Sequence, residues 1–180
     1  MIVKLFSTLT AAAVAITLGA NTAQAALPND HKPLLQSVLD AGVRVYVNTQ
    51  HCEQNEHLNG FYISQASVLV VCQDNMKEVG EETVWSANDL DTLRHESHHL
   101  LQDCLVTKGD GKMDPLFPDT LEQFIRQSSL TPEAVRRIIA IYLQNGADTD
   151  TVELELEAFA VAADVAPGDI AKGIDKFCKK

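Results

Sequence analysis

The chain opens, once past its first residues, with an alternation of short periodic segments. Over residues 29–41 the apolar positions Leu34, Leu35, Val38 and Leu39 recur at helical spacing, with a capping residue ahead and Gly42 behind, which predicts a helix. Residues 43–47 are a β-branched run and predict the first strand. A polar stretch covers 48–59. Residues 60–64 and 67–72 then read as two strands joined by a short turn at Gln65 and Ala66, the second apolar throughout, as a strand covered on both faces would be. Residues 75–82 are polar and predict a loop.

From Asn88 the period turns helical and holds to Leu105. Glycines and lysines at 108–112 and the prolines at 115 and 118 interrupt it. Four more helices are expected at 119–127, 131–144, 148–164 and 167–178. Thr131-Pro132-Glu133 is a start signal for the second of these and Asn145-Gly146 its stop. Strands first and helices afterwards predict an α+β domain with a small sheet. No internal repeat or low-complexity tract interrupts this order.

Charge and export narrow the classes of function. With 14 Lys+Arg against 25 Asp+Glu the net charge is −11, and such a chain lacks the basic stripe that displaces counterions from nucleic acid. The same sign disfavours docking on anionic lipid. Residues 1–25 carry the three parts of a secretory signal: Lys4, an apolar stretch over 5–18, and Ala23-Gln24-Ala25 as the cleavage site. As a membrane span the stretch is interrupted by Ser7, Thr8, Thr10 and Thr17. Cleavage after Ala25 is therefore expected, leaving a periplasmic or secreted domain over 26–180 with no stable membrane association.

In an oxidising compartment an even set of cysteines predicts disulfides, here two among Cys52, Cys72, Cys104 and Cys178. Cys52–Cys72 would bracket the hairpin, and Cys104–Cys178 would tie the last helix to the central one. Loops of these lengths contribute about 3–4.5 kcal/mol each in the chain-entropy treatment.

The candidate chemistry lies in His95-Glu96-Ser97-His98-His99, an H-E-x-x-H pattern inside the predicted central helix. Residues four apart share a helix face, so His95 and His99 can bind one ion, while Glu96, about 100° away, can act on water without being a ligand. Leu90, Leu93, Leu100, Leu101 and Cys104 occupy the opposite side. One face packs and the other presents ligands. Shuffling this composition yields the pattern in roughly one sequence per hundred before the helical context is considered. His98, on the flank, is expected to be solvated or to support a ligand.

Catalytic zinc takes three protein ligands. A third histidine in the extended pattern would stand at position 105, which holds Leu105, and Gln102 stands where the accompanying glycine would be. The segment 151–160 offers Glu153, Glu155 and Glu157 instead. On a helical wheel Glu153 and Glu157 group with Asp164 on a polar side expected to be solvated. Glu155 falls among Val152, Ala158, Phe159 and Ala162, where an ionised carboxylate needs a cation to meet.

An H-E-x-x-H helix followed by a helix reading Glu155-Leu156-Glu157-Ala158 resembles the gluzincin group of zinc metallopeptidases. The stretch around Thr92–Glu96 and Gln102–Cys104 is also similar to small, uncharacterised exported metallopeptidases of cyanobacteria. The resemblance implies a zincin-like fold, with a small β-sheet packed on the motif helix and a helical C-terminal half. It implies Zn2+ held by His95, His99 and Glu155, and Glu96 as general base in hydrolysis of a peptide or protein substrate along a sheet edge, either 60–64 or 67–72. Where several such families place Asp after the Ala, this chain has Phe159. The carboxylate that orients a ligand histidine is then expected from Asp91 or Asp103. Donors for the developing oxyanion are open among Tyr46, Tyr62, Tyr142, His31, His51 and His57. Two other readings stand beside the peptidase: a zinc-binding domain without turnover, and a disulfide-stapled exported interaction domain without metal. The Gly109-Asp110-Gly111 segment lacks the calcium-loop ligand series and reads as a turn.

Overall fold

Three short strands, β1 (Arg44–Val47), β2 (Gly60–Ile63) and β3 (Val68–Val71), form one sheet in the order β1-β3-β2. In the computed structural model, which describes residues 27–106 and 108–179, β3 runs parallel to β1 and antiparallel to β2. The expected signal segment, 1–25, lies outside the described residues. Side chains alternate across the pleat. Leu69 and Val71, with Val45, Val47 and Tyr62, face the main core, whereas Val70 joins Tyr46 and Phe61 on the other side.

That second side is covered by α2 (Gln50–Gln54), a short helix within the polar stretch that periodicity did not reveal. Cys52 is its one buried residue, and it is bonded to Cys72 just beyond β3. The turn between β2 and β3 is a single 3-10 turn, Ser64–Ala66, closed by Ser67 in the left-handed region.

Seven helices accompany the sheet among the described residues, so the α+β expectation holds with helix predominating. The central one is α3 (Ala87–Cys104). Its start is locked by a capping box: the Ser86 hydroxyl accepts from Asp89 N at 3.0 Å and the Asp89 carboxylate accepts from Ser86 N at 2.8 Å. From Thr92 to Asp103 every residue but Arg94 is buried. Leu93, Leu100 and Leu101 lie in the core as the wheel required, with Leu90 and Cys104 partly buried beside them.

Around α3 pack β2, α6 (Thr149–Asp164) and α7 (Pro167–Phe177), while α1 (Lys32–Asp40) lies against α7. β2 comes close enough to α3 that position 60 must be glycine. A Cβ there would stand 2.5 Å from Thr92 Cγ2 and 2.6 Å from the Val70 carbonyl oxygen. Two further helices, α4 (Leu121–Gln127) and α5 (Pro132–Gln144), lean on α6, and no residue of α5 is fully buried.

Both expected disulfides are present. Cys104–Cys178 joins the end of α3 to the end of α7, and no cysteine among the described residues is free. No helix among them is long and apolar enough to cross a membrane.

Candidate metal centre

One turn of α3 separates His95 from His99 and brings their rings edge to face, with centroids 4.7 Å apart. Their Nε2 atoms are 3.1 Å apart. From α6, Glu155 sets Oε2 at 3.2 Å from His95 Nε2 and Oε1 at 3.5 Å from His99 Nε2. Tetrahedral ligands about 2.1 Å from an ion stand about 3.4 Å from one another. The triangle of two imidazole nitrogens and a carboxylate therefore has the right edges to hold one metal ion with a fourth position left over. Both imidazoles are buried and the Glu155 side chain is 16% exposed, so water competes little for these atoms.

The electrostatics of the triangle follow from burial and mutual charge. Burial alone would raise the Glu155 carboxyl, but the charge on His99 and hydrogen bonds to both histidines hold it well below the usual range. Burial works against a proton on His99, yet Glu155, Glu96 and Gln102 together hold its pKa up to about 9. His95 is pushed down, burial outweighing its contact with Glu155. Two ligands thus share a proton that an ion would displace.

Glu96 is buried beside the triangle, its side chain against the backbone of β2 near Gly60 and its carboxylate accepting from the Tyr62 N–H. Burial and the negative charge of Glu155 raise its pKa to about 8, against the opposing pull of His99 and the Tyr62 amide. A carboxyl that titrates near neutrality can both take and return a proton.

Of the six candidate donors only Tyr142, from α5, reaches the centre. Its hydroxyl donates to Glu155 Oε2 at 2.7 Å, and burial together with that carboxylate keeps it a neutral phenol. Tyr62 instead donates to Asp103 at 2.7 Å, and Tyr46 packs on the far face of the sheet. His31 is held by Asp30 and Arg94, His51 lies against the Phe61 ring, and His57 is exposed.

The expected orienting carboxylates are elsewhere. Asp103 accepts from Tyr62, Ser64 and the Gly109 amide, and Asp91 pairs with Arg94, so neither touches a ligand histidine. His99 Nδ1 meets Gln102 Oε1 at 2.7 Å instead. The Gln102 amide nitrogen donates to the Leu154 carbonyl at 3.1 Å and to Glu157 Oε1 at 3.0 Å.

Glu157 corrects the reading of a solvated face, because it is fully buried. It accepts from the Leu116 and Phe117 amides at 2.9 and 3.0 Å and meets His98 Nε2 at 2.8 Å, which places His98 in a buried hydrogen bond. The signal was present in Leu154, Ala160 and Val161, apolar residues three and four positions away along the same face. By contrast His95 Nδ1 is buried without a partner, its ring packed against Phe159 at 4.5 Å where the resemblance would have placed an aspartate.

Comparison with known proteins adds a single relation. The family model described as Domain of unknown function (DUF8637) matches residues 23–179, nearly the whole chain. No curated protein and no solved structure matches.

Proposed function

We propose that this chain, which belongs to the DUF8637 family, is an exported zinc-dependent metallopeptidase. The observation that carries the proposal is the convergence of His95, His99 and Glu155 into one ligand triangle with Glu96 beside it on the same helix. Two imidazoles and a carboxylate with an open fourth position are the donor set of catalytic rather than structural zinc sites. Bound there, zinc supplies a Lewis acid for the scissile carbonyl and acidifies the attacking water. Glu96 takes that water's proton and passes it to the departing amine as the C–N bond breaks. A cation close by also draws Glu96 down from about 8 toward its ionised, basic form. Of the candidate oxyanion donors, Tyr142 is the one whose hydroxyl contacts the ligand set, through Glu155 Oε2.

The resemblance to gluzincins supplies the remaining parts of the reading. β3 is the central strand, so of the two expected sheet edges only β2 is available to an extended peptide, and it passes directly beside α3. The two disulfides support export to an oxidising compartment.

The test is metal content and hydrolysis measured on the same preparations. The native chain should carry one zinc per protomer. Glu155→Ala should lose it, Glu153→Ala should keep it, and Glu96→Gln should keep zinc while turnover of a quenched peptide library falls at least about a hundredfold. Zinc retained after replacement of both His95 and His99 would sink the reading. Zinc bound with no hydrolysis in the native chain would leave a binding domain.

A further inference from the structure

The hydrogen bonds around Gln102 determine which nitrogen of His99 faces the metal position. Gln102 is fully buried, so its amide has no water to turn to. One of its two polar atoms lies 3.1 Å from the Leu154 carbonyl oxygen and 3.0 Å from Glu157 Oε1. Both partners there are acceptors, and a main-chain carbonyl can be nothing else, so the atom facing them must be the NH2 group with its two hydrogens. The oxygen is thereby turned toward His99 Nδ1, 2.7 Å away, and an amide oxygen can only accept. His99 must carry hydrogen on Nδ1, so Nε2 is the nitrogen that faces His95 Nε2 and Glu155 and the one an ion would claim once its proton is displaced.

Glu157 cannot easily swing away from this arrangement. It is held from three further directions, by the Leu116 and Phe117 amides and by His98 Nε2. Its helix, α6, is also the one that delivers Glu155, two residues earlier. The segment that supplies the third ligand thus also orients the second.

We propose that Gln102 and Glu157 form a positioning pair that fixes the tautomer of His99 and so prepares one ligand of the metal centre, while the Nδ1 of His95 has no such partner. The inference rests on the metal-centre reading for its purpose but not for its hydrogen bonds, and the two can fail separately. Removing such a partner of a ligand histidine typically costs 10–100-fold in metal affinity.

The test uses the full chain with disulfides intact and two readouts. The first is long-range 1H–15N NMR of the histidine rings without metal, followed upward in pH until the two His99 ring nitrogens report a neutral imidazole. The native chain should show His99 as the Nδ1–H tautomer, and Gln102→Leu should lose that preference. The second is zinc affinity by chelator competition. Gln102→Leu should bind about 10–100-fold more weakly. Should Gln102→Leu not fold, Gln102→Met serves the same comparison, since it keeps the length of the side chain and removes both polar atoms. A native His99 in the Nε2–H form, or zinc affinity unchanged in Gln102→Leu, would overturn the positioning pair. An Nδ1–H tautomer in a chain that binds no zinc would uphold the pair and overturn the metal centre.

Discussion

Glu155 and Glu157 stand two residues apart on α6 and do different work, one in the ligand triangle and one against buried amides and His98. A helical wheel could separate them by direction but not by burial. Glu155 was legible because its immediate neighbours are apolar. Glu157 was misread because Glu153 and Asp164, one and two turns away, weighted its face toward water, while the loop that actually covers it, around Leu116 and Phe117, has no periodic signature. Gln102 carried no signal at all, since its contribution is the direction of an amide dipole. At this scale the sharpest consequence concerns pH. A proton on His99, held up to about 9 by Glu155 and its other neighbours despite burial, competes directly with the ion. Raising the pH removes the competitor, so zinc affinity should climb about tenfold per unit from neutrality and level off near 9. Competition titrations in a metal-free buffer series would show the slope, and a flat profile would contradict it.

Elements were read from the sequence more securely than residues. Thr131 ahead of Pro132 starts α5 where the local chemistry announced it, and Asp148, whose side chain accepts from Thr151 N, caps α6 at its expected bound, while the capping box at Ser86 starts α3 one residue before the expected Asn88. What failed was α2, because five residues with a single buried side chain cannot display a period. The pairing of β1 with β3 across an intervening strand was also silent, since it depends on partners distant in sequence. Gly60 shows where an element's position is set by a missing atom. Gly60→Ala drives Cβ into Thr92 and the Val70 carbonyl, and should destabilise the protein by about 1–3 kcal/mol, seen as a lower melting temperature. Adding Thr92→Ser removes one of the two obstacles and should restore part of the loss.

Across the whole molecule, the two disulfides divide the labour between the two sides of the sheet. Cys52–Cys72 secures the smaller cluster beneath it, and Cys104–Cys178 clamps the end of α3 to the last helix. Replacing both Cys104 and Cys178 by serine should cost about 2–5 kcal/mol in thermal unfolding under oxidising conditions and almost nothing under reductant, where the native chain has lost the bond too. The cysteine count together with the expected elements made this pairing legible, whereas the layering of α4 and α5 on α6 was not.

That layering gives the molecule two grades of firmness. α3 and its ligands belong to the innermost packing, while α5, which carries Tyr142 to Glu155, buries none of its residues fully and leans on one neighbouring helix. No residue of α5 belongs to the main hydrophobic cluster, so swinging this helix outward leaves that cluster intact. Local opening of such a helix costs less than global unfolding, so the Tyr142 side of the centre should exchange its amide hydrogens well before α3 does.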